Sequence, residues 1–294
     1  MNKFRELIVN DINDAKVILV GLPYDKSCSV GVGASKAPNT LRDLSKHLPP
    51  FTMNGKSIKN CKIYDYGNIE SCDNYHFVVE EKLKNIYSYN KFPLFIGGDH
   101  SVSIPIQKNF FNYYKELGFE PVLIHIDAHP DICDFYDNSY YSHACTVKRA
   151  IDNGFKCENI NLIGIRGFEE QEVDYFKNNP KISVYTSKMI KDEGYKKMLD
   201  EIISKYQDKK YVIYLSYDID ANDPSYAPGT GTPEAFGLNS FDLMECIKSL
   251  FSNLNIKAMD MVEISPSLDI NDITSWLGLK TLYEIFEIII KKEN

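Results

Sequence analysis

Short apolar runs alternate along this chain with longer segments of mixed polarity. Runs rich in Ile, Val, Leu and Tyr predict eight strands: Lys16–Gly21, Cys61–Tyr66, Pro93–Gly97, Pro121–Asp127, Asn161–Ile165, Ile182–Tyr185, Tyr211–Asp218 and Ile256–Ile264. Successive side chains on a strand point to opposite faces. Runs apolar at neighbouring positions are therefore buried on both faces, as in parallel sheets covered by helices. Between them, helical spacing predicts Ala37–Lys46, Asn74–Tyr89, Ile104–Leu117, Ala144–Asn153, Glu169–Asn178, Ser187–Gln207, Ser240–Phe251 and Ile273–Lys291. Gly118 and Gly154 stand where helix ends take left-handed backbone. Strand and helix alternate, so the pattern predicts an α/β fold with a mainly parallel sheet. No repeat or linker divides the pattern, which predicts one domain over residues 1–294.

Three Asp/His clusters follow predicted strands: Gly97-Gly98-Asp99-His100, Asp127-Ala128-His129-Pro130-Asp131 and Asp218-Ile219-Asp220. Parallel sheets bind ligands beyond these strand ends. If strand geometry persists, Asp127, His129 and Asp131 point one way, and so do Asp218 and Asp220. Crowded carboxylates repel and take up protons; divalent cations remove that cost, and the number of donors asks for two. The set His100, Asp127, His129, Asp131, Asp218 and Asp220 suits Mn²⁺, with Zn²⁺, Fe²⁺, Co²⁺ or Ni²⁺ as alternatives. Calcium and magnesium favour all-oxygen sites. Four carboxylates balance two divalent ions, and a bridging hydroxide leaves a centre that favours a cationic substrate. One aspartate at a strand end is ordinarily a helix cap or turn residue, but three such clusters ask for more. Asp99 either caps the next helix or orients a ligand, and His125 reads as a buried structural histidine.

Composition narrows the partners. The chain carries a formal charge of −8 with 44% hydrophobic residues, which argues against nucleic acid. Its 7 cysteines are scattered and contain no Cys-x-x-Cys, as expected of a reducing compartment. The first ten residues lack the apolar stretch of a signal peptide, and no run approaches a membrane span. The expectation is a cytoplasmic protein without nucleic-acid or membrane partners.

The clusters Gly97-Gly98-Asp99-His100-Ser101, Asp127-Ala128-His129-Pro130-Asp131 and Ser216-Tyr217-Asp218-Ile219-Asp220 continue into Asp223-Pro224 and Pro228-Gly229-Thr230-Gly231-Thr232-Pro233-Glu234. Together they resemble the ureohydrolase family, which includes arginases and agmatinases, over nearly the whole chain. The resemblance implies a three-layer α/β/α fold around an eight-stranded parallel sheet, and two Mn²⁺ ions with a bridging hydroxide. It places His100, Asp127, Asp131 and Asp218 on one ion and Asp127, His129, Asp218 and Asp220 on the other. It also implies that Glu263 orients a guanidinium, that Asp220 helps stabilise the tetrahedral intermediate, and that His143 carries a proton to the leaving amine. Thr230 joins His143 and Glu263 as a substrate-contacting residue.

The segments around His125, Ser142-His143-Ala144, Gly164-Ile165-Arg166-Gly167 and Glu263-Ile264-Ser265-Pro266 resemble the agmatinase branch, so the implied reaction is agmatine to putrescine and urea. Alternatives are guanidinobutyrate, guanidinopropionate, arginine, guanidine or formiminoglutamate as substrate, or a metal-binding pseudoenzyme with a scaffold role. A one-zinc deacetylase is more distant, because it leaves the second ligand set unused. Ala221-Asn222, Ala235-Phe236-Gly237, Pro130 and Thr146-Val147-Lys148 depart from the family pattern, and Phe236 is expected to narrow or reshape the pocket. The family also implies a homo-oligomer, a trimer or hexamer.

Overall fold

A computed structural model describes residues 3–292. All eight predicted strands form: β1 (Val17–Gly21), β2 (Ile63–Asn68), β3 (Phe92–Ile96), β4 (Glu120–Ile126), β5 (Ile160–Ile165), β6 (Ser183–Thr186), β7 (Tyr211–Asp218) and β8 (Ile256–Val262). They make one sheet in the order β2-β1-β3-β8-β7-β4-β5-β6, with every pair parallel. The central strands are apolar on both faces, and each face packs into its own hydrophobic layer. Val17, Leu19, Ile124, Ile126, Leu215 and Met259 belong to one layer; Ile18, Val20, Phe95, Leu123, Tyr214 and Ala258 belong to the other. Helices cover both layers, which gives the three-layer α/β/α arrangement. Among the described residues no helix is long and apolar enough to cross a membrane.

The helices depart from expectation where local backbone chemistry intervenes. The predicted helix Ser187–Gln207 is two, Ser187–Glu193 and Tyr195–Tyr206, broken at Gly194 with φ +83°. Only glycine adopts that conformation without steric cost. The predicted Asn74–Tyr89 ends as an α-helix at Leu83, and Ile86–Tyr89 follow as a 3₁₀ turn. Gly118 and Gly154 do end their helices at positive φ.

Sheet order positions the site. Chain connections run outward to β2 on one side and to β6 on the other, so β3, β8, β7 and β4 are central neighbours. Their C-terminal ends carry the Gly97–His100, Glu263, Asp218–Asp220 and Asp127–Asp131 segments respectively. Gly98 lets the loop after β3 touch the loop after β1: a Cβ there would lie 1.7 Å from the Tyr24 carbonyl oxygen. Backbone cannot yield as a side-chain tip does. Gly98→Ala is therefore expected to destabilise the fold by about 3 kcal/mol or more, read as a lower urea-unfolding midpoint. An unchanged midpoint would show that these loops have slack.

Candidate metal centre

Local turns, rather than extended strands, bring the clusters together. β4 stops at Ile126, and Asp131 takes φ +51°, so the expected strand alternation through Asp127, His129 and Asp131 does not occur. Instead Asp127 Oδ1 accepts from the His129 amide at 2.6 Å. Asp218 ends β7, and its Oδ1 accepts from the Asp220 amide at 2.8 Å. Asp220 Oδ1 accepts from the Ala128 amide at 3.1 Å, tying the two acidic turns to each other. Asp99 caps the short 3₁₀ turn that carries His100, accepting from the Ser101 and Ser27 amides. Of its two readings, the cap is the one the geometry shows.

All six sequence-predicted donors converge. His100 Nδ1 lies 2.9 Å from Asp127 Oδ2 and 3.1 Å from both Asp131 Oδ2 and Asp218 Oδ2. His129 Nδ1 lies 3.1 Å from Asp220 Oδ2 and 3.5 Å from Asp127 Oδ1. Asp127 thus faces both halves of the cluster. His100 Nδ1 and Asp127 Oδ2 are buried and have no hydrogen-bond partner. Two bare donor atoms facing each other in a buried ring of hard oxygen and nitrogen ligands fit a divalent cation.

His125 also reaches this cluster. With His100, Asp127 and Asp131 it forms one group of potential ligands; Asp127, His129 and Asp220 form another. The His125 ring stacks on His100 at 4.8 Å. Its Nε2 lies 3.0 Å from Asp127 Oδ2 and 3.2 Å from the His129 carbonyl oxygen. The His129 carbonyl oxygen only accepts, so Nε2 carries the proton and donates to it. His125 is therefore suited to orienting Asp127 rather than to ligation through that nitrogen.

The charges respond to this crowding. Burial disfavours the charged imidazole of His100, but Asp127, Asp131 and Asp218 outweigh it and hold its pKa well above the usual range. His129 is raised in the same way, by Asp220 and Asp127 against burial. Burial and the charges of Asp220 and Asp127 push Asp218 well up; burial and Asp127 raise Asp131. Asp127 goes the other way, because His125, His100 and His129 overcome its burial. Protons thus compete with cations here, and binding a cation releases them.

The secondary residues divide. His143 lines a cavity of about 370 Å³ above the cluster, with His100, His129, Asp131, Asp218 and Asp220. Its Nδ1 lies 3.5 Å from Glu263 Oε1, and its Nε2 lies 3.1 Å from Ser29 Oγ. Thr146 donates to the carbonyl oxygens of both His100 and His143, bracing the two loops. Glu263 is buried just behind the lining and accepts from the His100 amide at 2.8 Å. It has φ +61°, a strained backbone for a side chain of this size and a frequent mark of functional positions. Thr230 is buried and does not line the cavity; Thr232, two residues on, does. Phe236 does not narrow the pocket: it is 87% exposed and turned to solvent.

Sequence reasoning missed the outer wall. Tyr136, Phe168, Glu169, Glu172 and Glu234 complete the cavity. Burial raises Glu172 to about 7, although its carboxylate accepts from the Ile132 and Glu169 amides. Arg166 donates to the carbonyl oxygens of Asp220, Asn222 and Glu234, joining the Asp220 turn to the Glu234 loop.

Comparison with known proteins agrees with this geometry. A sequence profile of the arginase family matches residues 15–287; the chain belongs to that family, the ureohydrolases, which hydrolyse guanidino C–N bonds. An agmatinase of Bacillus cereus is 30% identical over 282 residues, covering 92% of this chain and 91% of that protein. A guanidinobutyrase of Pseudomonas aeruginosa is 28% identical over 282 residues, covering 92% and 85%. The crystal structure of the agmatine ureohydrolase of Thermoplasma volcanium superposes with a TM-score of 0.87 at 30% identity, covering 100% of this chain and 97% of that one.

Proposed function

We propose that this ureohydrolase cleaves agmatine to putrescine and urea, and that His100, Asp127, His129, Asp131, Asp218 and Asp220 hold two Mn²⁺ ions. The observation that carries the substrate is the charge of the cavity wall. Beyond the cluster it presents Glu169, Glu234 and Glu172, the last raised to about 7, against one protonated side chain, His143, and no lysine or arginine. Arg166, beside the wall, directs its N–H groups to backbone carbonyl oxygens, so it is committed elsewhere. A tail ending in an ammonium is attracted by such a wall; one ending in a carboxylate is repelled.

When bound, the two ions supply a water of lowered pKa as nucleophile. The protein's own groups do the rest. Glu263, buried beside His143, offers a carboxylate for charge-assisted hydrogen bonds to the guanidinium. Asp220, which lines the cavity, is the carboxylate that helps stabilise the tetrahedral intermediate in this reading. His143, raised to about 9 because Glu263 outweighs its burial, holds a proton at neutral pH for the departing amine.

A panel of agmatine, 4-guanidinobutyrate, 3-guanidinopropionate, arginine, guanidine and formiminoglutamate tests this, with urea (formamide for the last) measured in the presence of Mn²⁺. Agmatine is expected to exceed guanidinobutyrate in kcat/KM by about 100-fold, as for roughly 3 kcal/mol of discrimination. Preference for guanidinobutyrate would overturn the substrate assignment and leave the reaction class standing.

A further inference from the structure

The buried sheet carries a row of polar residues directly beneath the cluster. Strand register sets His125 of β4 beside Ser216 of β7, and Ser216 beside Asp260 of β8. All three are fully buried. Ser216 Oγ donates to Asp260 Oδ1 at 2.7 Å, and Tyr214 Oη donates to Asp260 Oδ2 at 2.7 Å. His100 Nε2 lies 2.9 Å from Ser216 Oγ. An aspartate inside an apolar strand is expensive to bury, and neither it nor Tyr214 reaches the cavity.

Counting protons along this row fixes the histidine. A carboxylate only accepts hydrogen bonds, so the single Ser216 hydroxyl proton points at Asp260. Ser216 Oγ then presents a lone pair to His100, and Nε2 must be the donor. A neutral imidazole with its proton on Nε2 has a bare Nδ1, the atom that faces Asp127, Asp131 and Asp218. We propose that Asp260 is a positioning residue for cation binding: through Ser216 it holds His100 in the Nε2–H tautomer and so keeps Nδ1 free as a ligand. This is a carboxylate–histidine pair lengthened by one hydroxyl; a carboxylate behind a ligating histidine fixes the ring and strengthens the ligand. The inference rests on the metal-centre reading above.

Asp260→Asn keeps the shape but lets position 260 donate as well as accept, so the direction of the Ser216 proton is no longer imposed. Mn²⁺ titration of the full-length protein by calorimetry is the direct test. Asp260→Asn is expected to weaken one of the two ions by ten- to a hundredfold and to leave the other near wild type. Turnover lost at limiting Mn²⁺ should return at high Mn²⁺, which a general folding defect would not allow. If Asp260→Asn does not fold, Ser216→Ala carries the same expectation. In wild-type protein loaded with diamagnetic Zn²⁺, nitrogen-15 spectra should place the His100 proton on Nε2. The inference is overturned if the folded variant binds both ions as wild type does, if added Mn²⁺ fails to restore turnover, or if the His100 proton lies on Nδ1. A wild-type protein that binds no divalent ion would instead sink the metal-centre reading.

Discussion

Asp127→Ala is expected to release both cations and to lower urea production by three orders of magnitude or more. Asp127 is the carboxylate that faces both halves of the cluster, 2.9 Å from His100 Nδ1 and 3.5 Å from His129 Nδ1. Its removal leaves each half short of a candidate ligand and takes away the carboxylate 3.0 Å from His125 Nε2. Activating a water at neutral pH is worth several kcal/mol in such enzymes, and each 1.36 kcal/mol is about tenfold in rate. Metal content by elemental analysis and urea release should fall together. Asp127→Asn, which keeps the shape and removes the charge, should behave nearly as badly. Full activity of the alanine variant after exhaustive chelation would remove the basis for a two-ion mechanism.

His143→Ala is expected to reduce kcat by about 10²–10⁴, the range for loss of a positioned proton donor, with metal content near wild type. The imidazole is 3.5 Å from Glu263 Oε1. That carboxylate outweighs burial and raises the His143 pKa to about 9. A raised pKa favours the charged form, so the group is protonated below about 9 and loses its proton above it. As an acid, it should give a rate that falls on the alkaline side, and the alanine variant should lack that descending limb. Glu263→Gln removes the stabilising charge and should move the limb to lower pH. A wild-type limb that survives in His143→Ala would assign the proton to another group.

Much of this was visible in the chain because burial writes itself into composition. The central strands are buried on both faces, so apolar runs marked them without any need for alternation, and the half-exposed edge strands β2 and β6 were marked by their shorter apolar runs. The candidate ligands were legible for a different reason: one aspartate at a strand end is ordinary, but three Asp/His clusters, each following such a run, are not. Turn-level detail was less legible. No periodicity announces that Gly194 breaks a helix, or that Asp131 adopts left-handed backbone. The outer wall was missed because Glu169, Glu172 and Glu234 are ordinary surface residue types in sequence; only the loops' proximity makes them a cavity. Asp260 did leave a signal, an acid within Ile256–Val262, but its partner Ser216 is 44 residues away in the chain and only register reveals the pair. Thr230 and Thr232 show the limit of motif reading, because a motif names a loop and cannot say which hydroxyl faces inward.

The sheet order has a bearing on how the protein comes into being. β8 sits between β3 and β7, yet it is the last strand in the chain. In the finished sheet it joins two ribbons, β2-β1-β3 and β7-β4-β5-β6. One ribbon leads into His100, and the other bears the aspartates that face it. The cage therefore depends on residues 256–262, which pair with both ribbons and close the arch. This late strand is its keystone, and cation capture reports that the whole arch has been set.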